Sequence, residues 1–133
     1  MKVIDASALS AYLLREEGFE EIRKFIVEGV VSVGLVVKEV ANAILLAYKR
    51  GRIKLEEAGR AFEALNSLLN VNVKIEGQEA LLREAFDIAL KHEVTIYDAL
   101  YIALARKRKV ELISRDERQV KVAREVGVGA LLI

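Results

Sequence analysis

Cysteine, proline and tryptophan are absent from this 133-residue chain, and histidine occurs once, as His92. Without cysteine there can be no disulfide, no thiolate metal site and no cysteine nucleophile, and a lone histidine excludes multi-histidine zinc sites. Metal chemistry, if present, must be carboxylate chemistry, which favours hard ions such as Mg²⁺ or Mn²⁺. No run approaches the roughly 18 apolar residues of a membrane span. The opening MKVIDASALS has no apolar signal core. The expectation is a cytoplasmic protein with no membrane contact. A dominant sign of charge is also missing: 21 basic and 20 acidic residues give a net charge of +1, so local patches must hold any polyanion. Neither GxGxxG nor GxxxxGK[ST] occurs, which removes the usual nucleotide-binding loops.

The length suits a single domain, residues 1–133, with a core that needs no staples. The 31% charged fraction, with few Asn and Gln, resembles thermophile composition, although the lack of proline runs against that trend. Short β-branched strands at Lys2 to Ile4, Val30 to Val33, Val71 to Ile75, Val110 to Ser114 and Ala130 to Ile133 are predicted between helical stretches. The predicted helices cover SALSAYLLREE with Ser7 as N-cap, then Gly18 to Glu28, Leu35 to Arg50 closed by Gly51, and Leu55 to Leu69. Further helices are predicted at Gln78 to Lys91, after Thr95, and at Asp116 to Glu125. Alternation of this kind predicts an α/β domain with a mostly parallel sheet covered on both faces. Ligands of such sheets bind beyond the carboxyl ends of the strands.

The stretch Val94 to Ala105, VTIYDALYIALA, carries a single charge, Asp98. As a helix it is apolar nearly all round and should be buried, so its carboxylate needs backbone donors, a cation or a metal ion. Thr95 and Asp98 also match a capping box, which leaves capping open as an alternative. Three more acids fall at comparable places. Asp5 ends the first strand, Asp116 follows the fourth by two residues, and Glu39 lies within the apolar arc early on the Leu35 to Arg50 helix. Asp5 and Asp116 also read as ordinary caps, and Glu39 as a salt bridge to Lys38 or Arg50. Together the four would converge at one sheet edge. Their repulsion is relieved by one or two divalent cations, and metal-assisted phosphodiester hydrolysis follows as the reaction class. A phosphoaspartyl hydrolase fits less well, because Ser7 stands where its second acid would be. Arg115, Arg118 and Lys38 flank these acids and are candidates for phosphate contacts, with solvated surface charge as the alternative. The run Arg106 to Lys109 lies farther along its helix and complements the helix dipole.

The D-x-S of Asp5 to Ser7, the E-x-x-N of Glu39 to Asn42, YDALYIALA from Tyr97 to Ala105 and the S-x-D of Ser114 to Asp116 resemble the PIN-domain ribonucleases. The likeness is strongest to the VapC toxins of toxin-antitoxin pairs and covers nearly the whole chain in order. Ser114 stands where that family often has Thr. The resemblance implies a three-layer α/β/α sandwich with Asp5, Glu39, Asp98 and Asp116 as the acidic site. Asp5 and Asp98 would be direct metal ligands, Glu39 and Asp116 direct or through water, and Ser7 and Ser114 would support them by hydrogen bonds. It also implies Mg²⁺- or Mn²⁺-dependent cleavage of RNA, a homodimer, and inhibition by a VapB-type antitoxin. A housekeeping RNA-processing nuclease, and a PIN-like binding or assembly module with little nuclease activity, are the alternatives.

Overall fold

The computed structural model describes residues 1–133. Its strands are β1 (Lys2–Ile4), β2 (Val30–Val33), β3 (Val73–Glu76), β4 (Leu112–Ser114) and β5 (Ala130–Leu132). Its helices are α1 (Ala6–Leu13), α2 (Phe19–Glu28), α3 (Leu35–Lys49), α4 (Leu55–Val71), α5 (Leu82–Lys91), α6 (Ile96–Arg108) and α7 (Glu117–Glu125), with a 3₁₀ turn at Glu79–Leu81 before α5. The strands form one sheet in the order β3-β2-β1-β4-β5, and every neighbouring pair is parallel. Val3, Ile4, Val30, Val31, Val33, Leu112 and Ile113 are all buried, as strands covered on both faces require. Helices α1 to α4 pack on one another, as do α5 to α7, and α6 lies along β1, β2 and β4. Right-handed crossovers from a central β1 place these two groups on opposite faces. The result is the three-layer α/β/α sandwich expected.

Several boundaries depart from the sequence reading. Helix α4 continues to Val71, so β3 begins at Val73 rather than Val71. The Leu65 side of α4 is buried, and a long amphipathic helix overrides the β-branched residues at its end. Asp5, not Ser7, caps α1: its Oδ1 accepts from the Ala8 amide at 2.9 Å. Gly51 does follow α3 with φ at 73°, the left-handed conformation that closes a helix, and Arg50 is the cap residue itself.

The topology decides where chemistry can occur. β1 and β4 are adjacent, but the chain leaves them towards opposite layers, α1 from β1 and α7 from β4. The crevice at such a switch point, outside the carboxyl ends of the strands, is where open α/β sheets hold ligands.

Candidate active site

Asp5 sits at the end of β1, only 1% exposed. Three donors hold its carboxylate. Ser7 Oγ donates to Oδ1 at 2.7 Å beside the Ala8 amide, and Ser114 Oγ donates to Oδ2 at 2.5 Å from the end of β4. Each serine also accepts, Ser7 from the Arg115 amide and Ser114 from the Asp116 amide, both at 2.9 Å. With each hydroxyl proton committed to Asp5, the 3.3 Å approach of Ser7 and Ser114 is a contact and not a further hydrogen bond. The serines therefore tie the β4–α7 turn to the end of β1. Burial nevertheless dominates and pushes the Asp5 carboxyl from 3.8 up to about 6, with a smaller contribution from the Asp98 charge.

Asp98 occupies the first turn of α6, whose residues Ala99 to Ala105 are all buried. Half of the capping-box alternative is realised: Thr95 Oγ1 accepts from the Asp98 amide at 3.1 Å. The other half is not. No backbone N–H, and no cationic side chain, donates to the Asp98 carboxylate, which makes it a poor candidate for a cap. Burial, then the charges of Asp116 and Glu39, push it up to about 6, partly offset by the Thr95 hydroxyl. Glu39 on α3 and Asp116 at the start of α7 thus act on Asp98, and Asp98 acts in turn on Asp5 at the end of β1.

Asp116 is a true N-cap. Its Oδ1 accepts from the amides of Arg118 and Gln119 at 2.9 and 3.2 Å, which leaves Oδ2 without a protein donor. Gln119, buried at 2% exposure, donates from its amide nitrogen to the Asp98 carbonyl at 3.0 Å and thereby fixes α7 against the start of α6. Glu39 makes neither of the ion pairs open to it from sequence. Instead Tyr101 on α6 donates its phenolic O–H to Glu39 Oε1 at 2.6 Å. Tyr101 was not among the residues singled out from sequence, although its signal was there: a phenol on a helix apolar all round needs a partner for its O–H.

The basic candidates separate. Lys38 and Arg118 are exposed and form no ion pair, so both remain available to an anion. Arg115 is held at Glu16, 3.5 Å from Nη1 to Oε1, with its Nε buried and unpartnered. In the run after Ala105, Arg108 is paired with Glu76 at the end of β3 and Arg106 with Glu84 at 3.5 Å. An open groove of about 1120 Å³ starts at Thr95, Asp98 and Asp116 and runs between α7 and the α5–α6 connection, past Arg118 and Lys121 to His92.

No three acidic or histidine side chains stand close enough to enclose a metal ion by themselves. The donor set nonetheless suits a hard ion. No backbone N–H and no cationic side chain donates to the Asp98 carboxylate, Asp5 Oδ2 keeps one acceptor position, and all available atoms are oxygens. Such a site would supply two protein ligands and leave the remaining positions to water and phosphate, as Mg²⁺ commonly arranges.

A parallel sheet in this order, with acids from β1, α3, α6 and the β4–α7 turn acting on one another at its carboxyl edge, defines the class. Residues 2–125 match the PIN domain, and the chain belongs to that family. It is similar to Ribonuclease VapC3 of Pyrobaculum aerophilum, with 34% identity over 118 residues, 87% of this chain and 89% of the relative. Ribonuclease VapC1 of Mycobacterium tuberculosis is 34% identical over 84 residues, 63% of this chain and 60% of that protein. Among solved structures, PAE2754 from Pyrobaculum aerophilum has a TM-score of 0.74 at 23% identity, covering 97% of this chain and 82% of that one. Mycobacterium tuberculosis VapC20, described as a sarcin-ricin-loop-cleaving toxin, has a TM-score of 0.70 at 17% identity and coverage of 96% of both chains. FitAcB from Neisseria gonorrhoeae has a TM-score of 0.67 at 17% identity, covering 98% and 96%. These structural likenesses support the fold.

Proposed function

We propose that this chain is a single-domain, metal-dependent endoribonuclease of the VapC type, the toxin of a toxin-antitoxin pair, acting in the cytoplasm. The observation that carries the reading is Asp98, a carboxylate on a buried helix that no backbone N–H and no cationic side chain satisfies and that burial first, then the charges of Asp116 and Glu39, push up to about 6. Such a group is held for a cation rather than for the fold. The names of the VapC relatives support the ribonuclease assignment.

Asp5 and Asp98 would hold the ion directly, and Glu39 and Asp116 directly or through water. When bound, Mg²⁺ or Mn²⁺ supplies an activated water and neutralises charge on the phosphodiester and its leaving oxygen. The rest belongs to the protein. Ser7, Ser114 and the Ala8 amide fix the Asp5 carboxylate, so that its remaining acceptor position is preorganised. Asp116 Oδ2 and Glu39 Oε2, both without protein donors, can orient a water and accept its proton. Exposed Arg118, which lines the groove, and Lys38, beside Glu39, receive phosphates of the bound strand. Single-stranded or loop RNA suits the site, since an unstacked backbone reaches a shallow cleft more readily than a duplex. As partners we propose a second copy of this chain in a homodimer and a VapB-type antitoxin. A basic antitoxin segment carrying an arginine would inhibit by bridging two carboxylates in place of the ion.

Incubation of the purified protein with structured RNA, with Mg²⁺ or Mn²⁺ and then with EDTA, tests the reading. Cleavage is expected with metal only, and Asp98→Asn should abolish it without unfolding the protein. Cleavage that survives EDTA refutes it.

A further inference from the structure

Tyr101 is the only phenol among the large, fully buried side chains, and its O–H does not point at a backbone carbonyl, the usual destination in a core. It donates at 2.6 Å to Glu39, 62 positions away in the chain and on the opposite helix layer. A phenol donor to a carboxylate is a charge-assisted bond, among the stronger hydrogen bonds a protein makes. Tyr101 stands three residues after Asp98, a spacing that puts both side chains on one side of α6. The same helix therefore presents one acid directly and reaches a second through a hydroxyl. The two layers can meet because the strands between them are only three or four residues long, and helix side chains reach past their ends.

We propose that Tyr101 is a positioning residue for the metal centre. By occupying Glu39 Oε1, it fixes the carboxylate and leaves Oε2 free for the ion or its water. The inference rests on the proposed metal-dependent activity and adds to it the group that aligns an acid from α3 with one from α6. Partners of this kind, which bind a ligating side chain rather than the ion, are commonly worth ten- to a hundred-fold in metal affinity or activity.

The test is a calorimetric titration of metal-free protein with Mn²⁺, run on wild type, Tyr101→Phe, Glu39→Gln and the double variant. Removing the hydroxyl should weaken Mn²⁺ binding by about ten-fold or more. RNA turnover should fall with KM for RNA unchanged, and Tyr101→Phe should have no further effect on Mn²⁺ affinity in the Glu39→Gln background. A purely structural tyrosine predicts a lower melting temperature with unchanged Mn²⁺ affinity, and that result overturns the proposal. Additive losses in the double variant overturn it as well, because Tyr101 would then not act through Glu39. Wild type that binds no Mn²⁺ would instead sink the underlying metal-centre reading.

Discussion

Replacing Asp98 by Asn should make the metal-free protein more stable at pH 8. Asp98 is raised from 3.8 to about 6, first by burial and then by Asp116 and Glu39. A shift of that size on a fully desolvated group corresponds to about 3 kcal/mol, and partial exposure of Asp98 reduces it to about 1–2 kcal/mol. Because the folded-state value is the higher one, the folded chain binds more protons than the unfolded chain through this interval. The penalty is therefore absent below the ordinary value of 3.8 and is fully developed once pH has passed about 6. Asparagine removes the charge and costs no cap, since the capping acceptor is Thr95 Oγ1. With roughly 2.1 cal/mol/K of unfolding entropy per residue, a gain of about 1–2 kcal/mol raises Tm by about 3–7 °C. Scanning calorimetry of both proteins in EDTA at pH 4 and pH 8 measures it: the gap should open only at the higher pH. A variant no more stable than wild type at pH 8 would show that the acids do not act on one another at Asp98, and the site would have to be abandoned.

Metal should close most of that gap. Free Mg²⁺ at ten times its Kd adds about 1.4 kcal/mol to wild type through binding the folded state alone, a few degrees in Tm, and adds little to Asp98→Asn. Ser114→Ala removes a donor to a buried carboxylate and so raises the Asp5 value further. Its cost, about 1–3 kcal/mol at pH 8, should shrink below pH 6 as Asp5 is protonated, which urea denaturation at the two pH values would reveal. Arg118→Ala with Lys38→Ala should raise KM for RNA several-fold at nearly constant kcat and flatten its salt dependence; loss of kcat alone would place both at the chemical step instead.

Much of this molecule is set by local chemistry, and that part is legible in the chain. Alternation of β-branched runs with amphipathic stretches is enough to predict a mostly parallel sheet covered on both faces, because each element must bury one face or both. Asp98 stood out for the same reason: one charge on a helix apolar all round demands a partner. The carboxyl-edge positions of Asp5 and Asp116 followed from the strands they end. What tertiary structure alone decided are interactions between parts of the chain far apart in sequence. Strand order brings β4 beside β1, so Ser114 reaches Asp5 across 109 positions. That pairing makes Asp5 a clamped and desolvated acid, where the chain showed only a cap candidate or a ligand. Arg115 flanks Asp116 in sequence, yet its guanidinium is held at Glu16, because side-chain direction depends on how the β4–α7 turn sits against the α1–α2 loop. The Tyr101–Glu39 bond lies beyond any local pattern. Periodicity states that a side chain is buried but not which partner lies opposite, and that partner comes from the other side of the sheet.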